Sequence, residues 1–295
     1  MVHPRGARPS TRLGPVLDDF IVRADAAVSL RADPLSIVHE TTDLREREVV
    51  AFITACMAFG QVAVIQRTVR TILRALGPRP TEVLRVEDED ALFARLAGLQ
   101  YRWLTDRVLA RYFAAIGHVL REHGTLERGF DAGLSDDDDD VGPALTRFRA
   151  LLKSGLPGPA HRALEFLLPS PERGSACKRL CLFLRWVARP NDGIDLGLWR
   201  RPHPRQLVMP LDTHVVRIAR YLALTRRKSA GWKMALEVTD ALRKLAPDDP
   251  LRYDFALCHL GVSGQCQHKR IEAICTPCGL NEICRLTSKG TIRGA

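Results

Sequence analysis

No stretch of this sequence alternates apolar and polar residues at the two-residue period of a half-buried strand. Wherever a period can be read, it is helical. Residues 106–123 place Val108, Leu109, Tyr112, Phe113, Ile116 and Leu120 at helical spacing. Residues 45–75 form a longer apolar-periodic region, expected as two helices broken near Phe59-Gly60. Helices are also expected over 142–153, 159–168, 233–245 and 254–260. Another should run over 175–189, with Cys177, Leu180, Cys181, Leu184 and Val187 on its apolar face. A further helix opens at Asp212 as N-cap, ahead of Val215, Val216, Ala219, Leu222 and Ala223. Turn-forming residues fill 169–174, and a loop rich in Pro, Gly and Trp fills 190–210. The expected fold class is all-α.

A chain of 295 residues allows two domains, or one domain with two lobes. Apolar residues at 46% and charged residues at 26% exclude a mainly disordered, collagen-like or multi-span membrane chain. The most apolar run, 49–65, is short for a membrane span and contains Thr54, Gly60 and Gln61, so it reads as a buried helix. Residues 1–15 hold no apolar core of signal-peptide length, and a cytoplasmic chain is expected. The five aspartates at 136–140 read as a solvated loop.

The net charge is +10. Between residues 170 and 230 thirteen Lys/Arg stand against four Asp/Glu, a local net of +9. Such a patch suits a polyanion, because each neutralised phosphate releases counterions. A plain solvated surface has the same composition.

Four of the eight cysteines fall within nineteen residues: Cys266, Cys275, Cys278 and Cys284. In a reducing compartment this crowding points to a metal centre rather than disulfides. Four thiolates suit tetrahedral zinc or a cubane iron–sulfur cluster alike, and a closed shell of four leaves no open position for substrate. Cys56, Cys177, Cys181 and Cys258 sit on apolar helix faces and are expected in the core. Asp212, in Met209-Pro210-Leu211-Asp212-Thr213-His214-Val215, has the position of an ordinary N-cap. The same position at a helix N-terminus favours a negative side chain.

Together these segments resemble the helix-hairpin-helix DNA glycosylase superfamily, over roughly residues 46–284 and most closely from Gly174 onward. The Cys-x2-Cys-x5-Cys end resembles the cluster loop of endonuclease III, with eight residues after the first cysteine in place of six. The segment around Asp212 is similar to the one that supplies that superfamily's catalytic aspartate. Gly174-Ser175-Ala176-Cys177-Lys178-Arg179-Leu180 matches the start of the helix after the hairpin, where bifunctional members carry a lysine. Leu168-Pro169 and Gly174 remain of the hairpin, without its paired glycines. The interval of 34 residues from Lys178 to Asp212 is similar to that of archaeal 8-oxoguanine glycosylases.

The resemblance implies a two-lobed fold: an N-terminal segment 1–48 packed with the C-terminal lobe, a helical barrel lobe 49–205 with the hairpin near 168–178, a C-terminal lobe 206–265, a metal loop 266–284 and a basic tail 285–295. It implies a base-excision DNA glycosylase with AP-lyase activity on double-stranded DNA, an oxidised purine being the first candidate lesion. Lys178 would be the nucleophile and Asp212 the stabilising carboxylate. Gln61, Arg173, Gly174, Arg179, Trp199, Arg200, Arg201 and His214 would contact DNA, with Gln61 either filling the gap left by an extruded base or capping a helix at the core edge, and with Trp199 the best of Trp186, Trp199 and Trp232 for stacking, although each of the three fits the core better. Cys266, Cys275, Cys278 and Cys284 would hold a 4Fe–4S cluster, with zinc as the alternative. A nucleoid-associated monomer without membrane contact is expected. The competing readings are a monofunctional glycosylase using water and Asp212, and a non-catalytic nucleic-acid-binding homologue.

Overall fold

The computed structural model describes residues 12–156, 158 and 162–293, and the chain is mostly helical. The expected break at Phe59-Gly60 separates helix Leu44–Met57 from helix Val62–Leu76. Asp43 starts the first of these by accepting the N–H of Arg45, and everything from Val49 to Met57 is buried. Helix Lys178–Ala188 packs against it.

The expected helix over 106–123 runs Asp106–His123, with Thr105 as its cap onto the Val108 N–H. It is the hub for helices Pro80–Val86, Glu89–Arg95, Leu126–Asp131 and Gly142–Ser154. Gly117 lets it approach closely, since a Cβ there would lie 2.0 Å from the Leu84 carbonyl oxygen. A two-stranded antiparallel hairpin, Gln100–Tyr101 with Leu104–Thr105, precedes it. The hairpin departs from the all-helical expectation because strands of two residues show no alternation.

Of the helix expected over 159–168, the described part is Arg162–Leu167, and residues 159–161 lie outside the described residues. The helix expected from Ser175 begins only at Lys178. Cys177 takes the left-handed conformation (φ 48°), and Ser175 bridges to Gly231, so residues 175–177 belong to a turn rather than a helix.

Helix Thr213–Tyr221 packs against helix Asp254–Val262, and helix Trp232–Arg243 lies against the turn at Pro250–Tyr253. Described residues of the N-terminal segment reach this part of the chain. Tyr253 donates to Asp18 at 2.9 Å, His259 meets Asp33 at 3.1 Å, and Arg12 pairs with Glu282 at 3.8 Å.

The basic stretch is less basic at its surface than its composition implies. Arg185 is buried between Asp195 and Asp254, and Arg189 between Asp195 and Asp249. Two of these carboxylates, Asp249 and Asp254, lie beyond residue 230 in sequence but reach back in space. The aspartate run is likewise only partly solvated: Asp138 pairs with Arg147 and Asp140 accepts the Gly142 N–H. Among the described residues no helix is long and apolar enough to cross a membrane.

Candidate active site

Lys178 and Asp212 line one cavity of about 1090 Å³. The first turn of helix Lys178–Ala188 aims the lysine at the Leu44–Met57/Val62–Leu76 break, where Nζ donates to the Ala58 carbonyl at 3.2 Å. Asp212 enters from another wall. It is the N-cap expected, its Oδ1 accepting the Val215 N–H at 2.6 Å. Among the described residues no ion pair joins the two side chains; they share the space without neutralising each other.

Helix Asp254–Val262 supplies a third wall with Asp254, Phe255, Cys258 and His259. Cys258 was expected in the core. It is largely enclosed, but its thiol meets Oδ2 of Asp212 at 3.7 Å. Burial pushes this thiol well above the ordinary cysteine range, and the charge of Asp212 pushes it further. It therefore stays protonated and acts as a weak donor to the carboxylate. His259, held by Asp33, faces the same cavity. Sequence periodicity could not find either residue, because both look like ordinary members of an apolar helix.

The expected DNA contacts divide into two groups. Gln61 is exposed at the cavity, and its side chain makes no cap bond to the helix that it precedes. His214 lines the cavity, with Nδ1 3.4 Å from Arg217. Arg173 lines it too and bonds Glu165 at 2.9 Å. Gly174 is exposed in its turn with φ 79°, a conformation that favours glycine. Arg179 is buried rather than exposed, donating to the Phe166 carbonyl with its guanidinium 4.0 Å over the Phe166 ring.

Trp199, Arg200 and Arg201 are elsewhere. Trp199 is 5% exposed and donates its indole N–H to Glu48 at 2.8 Å, so it is a core residue and not a stacking surface. The same carboxylate accepts the backbone N–H groups of Leu126 and Glu127. The Arg200 N–H donates to Glu127, and Arg201 pairs with Asp131 and Asp136. None of the three lines the cavity.

Cys56, Cys177 and Cys181 are buried, as expected. The other cysteine loop follows helix Asp254–Val262 directly, and the Cys266 N–H bonds the Leu260 carbonyl at 3.1 Å. Arg217, on the helix that Asp212 caps, donates to the Cys266 carbonyl at 2.9 Å. Cys266, Cys275, Cys278 and Cys284 are all half-buried and free of disulfides. Among the described residues no three His, Cys, Asp or Glu side chains converge closely enough to hold a single metal ion. The thiols still feel one another: burial lifts Cys266 to about 11, with Cys284 and Cys278 adding to the rise.

Residues 33–263 match the family described as Protein of unknown function (DUF2400), and the chain belongs to that family. No curated protein matches it.

Proposed function

We propose that this DUF2400 chain is a helix-hairpin-helix-type DNA glycosylase with AP-lyase activity, acting on a damaged base in duplex DNA. One observation carries the reading: a primary amine and a carboxylate from separate helices line a single cavity, with Arg173 and Arg179 beside them. A damaged base must leave the helical stack to reach such a cavity. Asp212 would stabilise the positive charge that develops on the sugar as the bond from C1′ to the base breaks. The Lys178 amine would then bond C1′, the base leaving with a proton. Opening of the sugar ring gives a Schiff base. Loss of the C2′ proton then breaks the C3′–O bond and releases the phosphate.

The oxidised-purine preference and the two-lobed fold rest on the sequence resemblance and belong to the same proposal. So does a nucleoid-associated monomer. The residues also suit a 4Fe–4S cluster on Cys266, Cys275, Cys278 and Cys284. Zinc needs four sulfurs about 2.3 Å from one centre, whereas a cubane spreads the same four ligands more widely. Four thiolates are a donor set that either metal accepts, and the spacing of the loop favours the cluster through its resemblance alone. When bound, the cluster supplies a covalent tie across the loop that follows the Asp254–Val262 wall.

The monofunctional reading has one observation in its favour. Lys178 is engaged with the Ala58 carbonyl and is not bonded to Asp212, which leaves Asp212 free to work with water. Borohydride trapping on duplexes containing 8-oxoguanine or an abasic site tests the proposal. A covalent adduct lost in Lys178→Ala supports it. Base release without an adduct selects the monofunctional enzyme, and binding without release on any lesion selects the non-catalytic homologue.

A further inference from the structure

The chain has four tryptophans. Trp186 and Trp199 are buried, and Trp232 is half-buried against Gly142. Trp103 is 48% exposed, at the tip of the hairpin formed by Gln100–Tyr101 and Leu104–Thr105. Its neighbour at the tip, Arg102, has φ 57°, a left-handed conformation that a non-glycine residue adopts under strain. The Trp103 ring meets Phe166 edge-on with centroids 5.0 Å apart, and lies 5.4 Å from Phe59. Phe59 and Phe166 are in turn 5.0 Å apart, and Phe166 is itself 36% exposed. Three rings thus form one ledge.

This ledge adjoins the cavity, because Phe59 and Phe166 both line it. It is also pinned close to the amine. Tyr101 donates its hydroxyl to the Phe59 carbonyl, and the carbonyl one residue earlier, on Ala58, receives Lys178. Two guanidiniums flank the rings: Arg102 is 5.1 Å from the Trp103 centroid, and Arg179 is 4.0 Å from that of Phe166. Neither has a carboxylate partner among the described residues. An apolar peptide segment would fit the rings and leave these charges unanswered. Exposed π faces beside uncompensated positive charge are the recognition chemistry of a nucleobase with its phosphate.

We propose that the Phe59–Trp103–Phe166 ledge stacks an unpaired nucleobase of a DNA strand at the cavity mouth, with Arg102 on the adjoining phosphate. The proposal rests on nucleic acid entering the cavity, but not on any bond being broken there.

The test compares two duplexes that differ only in one unpaired base, using fluorescence anisotropy with the full chain. Wild type should prefer the unpaired duplex. Trp103→Leu should weaken that binding about fivefold or more while leaving the fully paired duplex nearly unchanged. Trp103→Phe should keep most of the preference. Tryptophan quenching by the unpaired duplex should vanish in Trp103→Phe, which retains the other three tryptophans. Equal losses on both duplexes, quenching independent of Trp103, or no binding to either duplex overturns the proposal. In the last case, concentration-dependent self-association lost in Trp103→Leu would give the ledge to a second copy of this chain. A Trp103-dependent preference without borohydride trapping or base release keeps the ledge and defeats the glycosylase. Trapping without that preference defeats the ledge alone.

Discussion

The Cys258 thiol lies 3.7 Å from Oδ2 of Asp212, while Oδ1 of the same carboxylate accepts the Val215 N–H at 2.6 Å. Each oxygen thus has a fixed neighbour, and in the proposed glycosylase this would spare the carboxylate from reorganising. Because burial and the adjacent carboxylate keep Cys258 protonated, it should be inert. Alkylation with iodoacetamide near pH 8, mapped by mass spectrometry, should leave Cys258 unmodified in the folded protein and modify it in urea. Rapid native labelling would contradict the thiol-to-carboxylate contact.

Asp212 has a structural role as N-cap and, in the proposed glycosylase, a chemical one, and substitution separates them. Asn caps a helix about as well as Asp, so Asp212→Asn should melt close to wild type. It lacks the negative charge, so base release and strand cleavage should fall by about a hundredfold or more. Asp212→Ala should lose the same activity and about 1 kcal/mol of stability besides. Thermal denaturation beside a cleavage assay on abasic duplex reads both effects. Full cleavage by Asp212→Asn would remove this carboxylate from the chemistry.

The buried thiols predict a response to alkali. Burial lifts Cys56 and Cys177 from 9.0 to about 11. Below pH 9 both folded and unfolded chains hold these protons and stability is unaffected. Above it the unfolded chain releases them first. Stability should fall as pH rises toward 11, by about 1.4 kcal/mol per pH unit for each thiol. Urea denaturation near pH 8 and near pH 10.5 measures the drop, and Cys56→Ala should show a shallower one whatever its stability at pH 8.

Arg185 is 3% exposed and bonds Asp195 and Asp254, both buried. Removing it leaves the buried Asp254 without a cation and Asp195 with Arg189 alone. Arg185→Met should therefore cost about 3–5 kcal/mol in urea denaturation. Adding Asp195→Asn and Asp254→Asn should recover part of that loss, because the uncompensated charge goes with them. If the triple variant is no better than the single one, packing rather than charge holds this arginine.

What the sequence disclosed depended on how far each signal reached along the chain. Helix Asp106–His123 was legible because its whole apolar period lies within one window. Asp212 as an N-cap was legible for the same reason. The late start of helix Lys178–Ala188 was not, since it follows from left-handed Cys177 and a bridge to distant Gly231. Trp199 looked like an interface residue because Arg200 and Arg201 follow it, yet its partner Glu48 lies 151 residues away. Trp103 carried no local sign of its exposure, because the rings that give it a role come from two other segments. The basic stretch misled for a related reason, its buried arginines being paired with aspartates outside it.

The cysteine loop offers the most direct test of composition against function. If the four thiols hold a cubane cluster, protein purified without oxygen should carry iron and acid-labile sulfide in equal amounts, with a broad visible absorption. Cys278→Ser should lose both, since a hydroxyl is a harder and weaker ligand than a thiolate. Stoichiometric zinc with no sulfide would instead assign the alternative metal. Loss of the metal should also loosen the wall beneath the cavity. The loop is joined to helix Asp254–Val262 through the Cys266–Leu260 bond, and to the Asp212 helix through Arg217. Hydrogen exchange should therefore rise over residues 254–268 in Cys278→Ser while helix Asp106–His123, packed on Pro80–Val86, Glu89–Arg95, Leu126–Asp131 and Gly142–Ser154, keeps its protection. Uniform loss of protection would mean that the metal holds the whole fold rather than this wall.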